Sequence, residues 1–327
     1  MTAQDAQPTQ AQGDGGGGGS ERVEASVLRQ AAVLLALTTL FWGGNAVAAK
    51  FAVGHVSPFL LTAARWSIAA LILWAFAWRY IARDWSIIAP RLPYFCAMGA
   101  VGFAFFNGLL YTAAATTSAI NITILQAAMP LFIFLLNFAA FRTTVSGAAL
   151  AGYAITLVGV ILTATASAGV AGSPGATLAG LSVNWGDLLM IGAAFAYAAY
   201  SVGLRAKPEI HALSMLTLLV SVGAFAALPM ALFEAASGDL LWPVTLQGWL
   251  VVAYTAIFPS ILAQGFWIRG VDLIGPNRAA LFLNLVPIFG ALLAVLLLGE
   301  RFTWQHAIAL VLVIGGIYAA QRAATQR

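Results

Sequence analysis

Charge is scarce in this chain: Asp, Glu, Lys and Arg make up 8% of 327 residues and hydrophobic residues 61%, against roughly 25% charged in an ordinary soluble domain. That balance excludes a water-soluble fold. Cysteine is almost missing. The single Cys96 rules out an intrachain disulfide and, inside an apolar run, reads as a small buried side chain. There is no Gly-x-Ser-x-Gly, no histidine pair at helical spacing, no P-loop and no pair of carboxylates within an apolar run. Intramembrane proteolysis, lipid modification and P-loop ATP hydrolysis therefore lack their residues. Neither an enzyme nor a bound cofactor is expected. The net charge of +4 comes from basic residues between apolar runs, not from a shared patch, so no nucleic-acid partner is expected.

What is present is a series of apolar runs about 20 residues long without alternation, the length of a membrane-spanning helix and not of a barrel strand. Residues 1–28, rich in Gln, Ala and Gly, read as a disordered cytoplasmic tail. The predicted spans are Val27–Phe51, Pro58–Trp78, Leu92–Ala114, Ser118–Phe138 and Gly147–Ala166, then Trp185–Leu204, Ala212–Phe233, Leu246–Ile268, Pro276–Leu298 and Trp304–Ala320. With both termini inside, all of the 15 Lys and Arg residues except Lys50, Arg301 and the in-span Arg65 fall on the cytoplasmic side, as the positive-inside rule requires. The expected fold is thus an all-α integral membrane protein of ten transmembrane helices with cytoplasmic N- and C-termini.

The two halves share a register. Lys50 falls on Lys207, Gly108 on Gly265, Pro130 on Pro287 and Gly159 on Gly316, each 157 residues apart. A unit of five spans, repeated, enters the membrane from the opposite side the second time. The expected organisation is therefore a repeat at 31–166, a periplasmic linker at 167–184 and an inverted repeat at 185–321, the architecture of alternating access.

Polar and aromatic side chains are costly in lipid unless turned inward, and helical spacing groups them by face. Trp42 and Asn45 share a face of the first span, Asn107 and Tyr111 one of the third, and Gln126 lies on the fourth with Pro130. In the second half Tyr197 and Tyr200 share a face, as do Ser260, Gln264 and Trp267, and Asn284 precedes Pro287. These amides and rings form the candidate substrate-binding set, with interhelical glue as the competing role. Pro130 and Pro287 each remove a backbone donor, and are candidate kinks or gates. Gly43-Gly44 and Gly315-Gly316 suit close helix contact. Arg65 is expected to reach the outer interface or cap helix ends, with a substrate carboxylate as the alternative. Glu300 is expected to serve the outer end of span nine. Trp78, Trp85, Trp185, Trp242, Trp249 and Trp304 belong to an interfacial belt. No carboxylate or histidine sits at mid-span, so uncoupled export or coupling through a peripheral group is expected.

Several stretches resemble the drug/metabolite transporter superfamily, specifically its ten-helix EamA-type permeases. They are Phe41-Trp42-Gly43-Gly44-Asn45, Ala64-Arg65-Trp66, Ala119-Ile120-Asn121 leading to Pro130, and Leu298-Gly299-Glu300-Arg301-Phe302-Thr303 ahead of Gly315-Gly316. The first copy departs where Phe141-Arg142-Thr143-Thr144 replaces Leu-Gly-Glu-Arg. The resemblance implies a central cavity lined by both halves and outward transport of small metabolites from the cytoplasmic (inner) membrane, with YddG-type amino-acid exporters nearest in character. The expected partners are the lipid bilayer and an amino acid or similar metabolite, with the chain as a monomer. Drugs, nucleosides or sugars are the alternative cargo, and a non-transporting membrane regulator is the other class.

Overall fold

The computed structural model describes residues 17–142, 146–166, 175–178, 181–275, 278–279 and 281–325. Helix α1 runs Gly17–Ala52 and α2 Pro58–Ile88. A 3-10 turn, Ala89–Arg91, leads into α3, Leu92–Gly99, a π-helical segment, Ala100–Phe105, and α4, Phe106–Ala113. Then come α5, Ala119–Ala127, α6, Met129–Phe141, and α7, Gly147–Ala166. The second half has α8, Trp185–Gly203, α9, Ala212–Ser237, and α10, Leu246–Ile257. A second π segment, Phe258–Leu262, leads into α11, Ala263–Ile274; a 3-10 turn, Leu281–Asn284, precedes α12, Leu285–Leu298, and α13 is Trp304–Thr325.

Among the described residues, nine helical stretches are long and apolar enough to cross a membrane. One of them, Pro58–Ala113, has 56 residues and would be roughly 80 Å long if straight, far beyond the ~30 Å hydrocarbon core. It is folded back at Ala89–Arg91, so that Trp66 Nε1 donates to the carbonyl of Phe103 at 3.1 Å. Large apolar side chains such as Leu71, Phe76, Phe225 and Val311 lie on the outside, the reverse of a protein built for water. The six belt tryptophans are also exposed.

Several expectations need correction. Residues 17–28 of the presumed disordered tail are helical and continuous with α1, because each residue added to an existing helix closes a further backbone bond without a new nucleus; residues 1–16 lie outside the described set. The second span does not stop at Trp78 but continues to Ile88. Its charged end is used, since Asp84 is buried and binds the start of α9. The fourth span is broken at Ala128. The linker holds an antiparallel hairpin, Gly175–Leu178 with Leu181–Asn184, while the candidate membrane spans are helical.

Small residues set the closest helix contacts. A Cβ built on Gly43 of α1 would lie 2.7 Å from the backbone nitrogen of Gly290 on α12, and one on Gly316 of α13 would lie 2.6 Å from the Gly152 carbonyl on α7. Neither neighbour is a side chain that can swing away. These are small-residue contacts of the kind that bring membrane helices together where lipid gives no hydrophobic drive.

Helix ends are tied across the two halves. Glu234, at the end of α9, accepts from Ser57 Oγ at 2.7 Å and from the backbone N–H groups of Phe59 and Leu60 at 2.9 and 3.0 Å, capping α2. In return Asp84, near the end of α2, accepts from His211 N at 2.9 Å and Ser214 Oγ at 2.8 Å at the start of α9. Both carboxylates meet the positive end of a helix dipole. Lys50 Nζ does the opposite job, donating to the carbonyls of Ala114 and Thr117 at 2.8 and 3.0 Å just past α4. The α4 and α8 ends also meet here, where buried Asp187 accepts from Thr117 and Asn121.

Candidate functional site

The predicted residues that the fold brings together surround Arg65. Its side chain does not reach the outer interface; at 3% exposure it sits among α1, α2, α4 and the second π segment. That corrects the expectation of a snorkelling arginine. The reason is a matching set of acceptors. Nη1 donates to Asn107 Oδ1 at 2.7 Å, to Asn45 Oδ1 at 3.2 Å and to the Tyr111 hydroxyl. Nε and Nη2 both donate to Ser260 Oγ, at 3.0 and 2.6 Å. The guanidinium carbon also lies 4.4 Å from the Trp66 ring centroid, within cation–π range. Tyr111 donates in turn to Asn45 Oδ1 at 3.0 Å, and Ser260 to the Thr255 carbonyl at 2.7 Å.

No carboxylate balances this cation among the described residues. The one ion pair there within 4.0 Å joins Arg83 and Asp84, at 3.2 Å. An unpaired charge inside a membrane protein is held only at a cost. Here amide, hydroxyl and ring dipoles offset it.

The π segments flank this cluster. A π turn replaces the i→i+4 ladder locally and leaves carbonyls available. Phe103 O takes Trp66 Nε1 and Asn107 Nδ2, the latter at 2.9 Å, while Pro259 O takes Trp42 Nε1 at 3.2 Å. Ala100–Phe105 and Phe258–Leu262 occupy matching places in the 157-residue register, each just before the polar pair Asn107-Gly108 or Gln264-Gly265. Sequence periodicity carries no mark of either.

The other predicted residues divide. Trp42 and Trp267 form a ring pair at 5.6 Å beside the cluster. Tyr197 and Tyr200 are 5.5 Å apart and reach it through rings, Tyr200 against Phe103 at 5.6 Å and Tyr197 against Phe106 at 5.2 Å. Gln126, Gln264 and Asn284 are half-buried and lie outside the hydrogen-bonded cluster. Pro130 and Pro287 coincide with the points where their spans break into successive helices. Each stands in the first turn of a fresh one, after the break at Ala128 and after the 3-10 turn Leu281–Asn284, where a missing N–H costs little. Glu300 does not serve its own helix. Gly299, at φ 65°, ends α12, and the Glu300 carboxylate accepts from Ala119 N and Ile120 N at 2.8 and 3.0 Å, capping α5 in the other half. Thr143, its counterpart in the register, lies outside the described residues. Ser260 was legible as part of the Gln264 face, but its partner on α2 was not. No group of three His, Cys, Asp or Glu side chains converges as a metal site among the described residues.

The chain matches its relatives over most of their length. The chain is 28% identical over 290 residues to the uncharacterized transporter YetK of Bacillus subtilis (strain 168), covering 88% of this chain and 85% of that one. It is 25% identical over 300 residues to a probable amino-acid metabolite efflux pump of Escherichia coli (strain K12), covering 89% and 94%. A protein of known crystal structure shares the fold with a TM-score of 0.61, at 23% identity over 90% of this chain and 98% of that one. The model of the EamA-like transporter family matches twice, at residues 29–165 and 184–320. A membrane protein made of two such units, with a buried polar cluster where they meet, belongs to the EamA-like transporter family.

Proposed function

We propose that this transporter exports amino acids or related small metabolites by alternating access, using the Arg65 cluster as its substrate site. The observation that carries the reading is the composition of that cluster. Asn45, Arg65, Asn107 and Tyr111 come from the first unit and Ser260 from the second. A site shared in this way is remade whenever the units move against each other, which is what alternating access demands. Counting the folded-back stretch 58–113 as two passes gives ten, five per unit. An odd number inverts the second unit, and both termini then face the cytoplasm of a bacterial inner membrane. The Lys50 end of the bundle faces outward. Amide and hydroxyl groups among aromatic rings suit a small polar metabolite with an apolar side chain, and the efflux-pump names of two relatives point the same way.

Proteoliposomes test this. Counterflow of radiolabelled leucine or phenylalanine is expected with the native chain. Asn45→Ala, which removes an acceptor from both Arg65 and Tyr111, is expected to cut it by roughly tenfold, the effect of about 1.4 kcal/mol, with the thermal midpoint in detergent nearly retained. Full counterflow in the variant would remove the cluster from the transport path.

A further inference from the structure

Beside the cluster lies a second space that transport by itself does not explain. A cavity of about 660 Å³ is walled by α1, α10 and α12, with Val47, Ala48 and Leu293 inside and Leu250 and Leu297 at its exposed mouth. Its lining is apolar apart from Gln247 at one end and the Tyr254 hydroxyl. No lining residue is acidic or basic.

The cavity and the cluster share a partition. Gly44 lines the cavity and Asn45, next on α1, binds Arg65. Tyr254 lines the cavity, and the carbonyl of Thr255, next on α10, holds Ser260. The Tyr254 hydroxyl donates to Phe41 O at 3.3 Å and fills the space that glycine leaves: a Cβ on Gly44 would fall 2.2 Å from it. The Tyr254 side chain therefore stands between the cavity and the cluster.

On the cluster side, the Nε–Nη2 edge of Arg65 is unusual. This edge matches a carboxylate with two parallel bonds, yet both of its donors converge on one serine oxygen.

Resting on the transport reading above, and narrowing it, we infer that the substrates are monocarboxylates with an apolar body. The carboxylate takes the Arg65 edge in place of Ser260 Oγ, and the body enters the cavity past Tyr254. Charge decides the class. A carboxylate entering this interior is stabilised by charge-assisted donors, and the Arg65 edge supplies two of them on a cation with no counter-ion among the described residues. An ammonium group would find no carboxylate among the described residues of the cluster or the cavity wall. The amino group of an amino acid is therefore dispensable.

The test compares three ligands of one shape, 3-phenylpropionate, 3-phenylpropionamide and 3-phenylpropylamine, by titration calorimetry on the purified full-length chain in detergent. The acid is expected to bind at least about tenfold more tightly than the amide, with the amine weakest. Ala48→Phe fills the cavity and is expected to weaken the acid by about tenfold. Ser260→Ala removes the oxygen that the carboxylate replaces, and is expected to keep or tighten binding, whereas a purely structural serine would lose it. Arg65→Gln is expected to abolish the preference for the acid; the Ala48 and Ser260 variants keep the test decisive if that protein does not fold. Equal binding of acid and amide, or an acid indifferent to Ala48→Phe, overturns the inference. Amino-acid counterflow together with equal binding would sink this inference and leave the transport reading standing. Tight, acid-selective binding without any counterflow would do the reverse.

Discussion

Two of the helix pairs that join the halves of this transporter carry carboxylate caps, and they are built differently. In the α2–α9 pair each helix caps the other, Glu234 at one end and Asp84 at the opposite end, and each helix is continuous over 31 and 26 residues. In the pair formed by α5–α6 and α12, Glu300 caps the start of α5, but the register places Thr143 where the reciprocal carboxylate would stand. Both members of this second pair are also interrupted, at Ala128 and at Leu281–Asn284. A pair pinned at both ends can only move as one body. Among the described residues the second pair is tied by a carboxylate at one end alone, and each of its spans is broken along its length. On the alternating-access proposal the first pair serves as the axis of the molecule and the second as its moving arm.

The largest effect that would break this contrast comes from the axis. Glu234→Ala leaves Ser57 and two α2 amides without their buried carboxylate, and a loss of about 2–4 kcal/mol is expected, seen as a fall in the thermal midpoint in detergent. Glu300→Ala, at a half-buried site, should cost about 1 kcal/mol and raise amide hydrogen exchange locally at Ala119 and Ile120. Equal losses for the two would erase the distinction between axis and arm.

Next in size is Gly43→Ala. Its Cβ would meet the α12 backbone at Gly290 N and Val286 O, 2.7 and 2.8 Å away, so the helices must separate. A cost of about 1–3 kcal/mol is expected, with flux falling more steeply than stability because α12 belongs to the arm. A variant as active as the native chain would mean that α12 does not move against α1.

The smallest change in stability, and the sharpest for the comparison, is Thr143→Glu. It supplies the carboxylate that the register lacks. Stability is expected to rise by up to about 1 kcal/mol while counterflow slows, since the arm would then be held at both ends. Unchanged counterflow would assign the missing carboxylate no part in gating.

Why the sequence revealed the spans but not these ties is a matter of range. An apolar run is a local property, and its hydropathy outweighs everything else in a bilayer. The run Leu281–Leu298, an apolar stretch of 18 residues without a charge, reads as a span from its own composition. Glu300 and Ala119, by contrast, are 181 residues apart and meet only because α12 ends beside α5. The inward turn of Arg65 is hidden from the sequence for the same reason. A long cation near the start of a span ordinarily reaches for water, and what turns it inward is an acceptor set from α1, α4 and the second π segment. Faces of single helices, such as Asn107 with Tyr111, were legible because spacing alone defines them. The cavity behind Tyr254 was not, because it is made by the small size of Gly44 and the placing of a side chain from another helix.

Each π segment amounts to one residue more than an α-helix of that length would hold, and every residue of an α-helix turns its successor by about 100°. Past Phe105 and past Leu262 the chain therefore resumes with its compass reset. Asn107 and Tyr111 point at Arg65 only on the far side of that reset. A single-residue deletion within Ala100–Phe105 would leave every span long enough to cross the membrane and keep the composition almost unchanged. It would remove the extra residue, restore a plain α-helix of the same length and leave the polar face of α4 on its arginine, while the Phe103 carbonyl that Trp66 uses would return to the helix ladder.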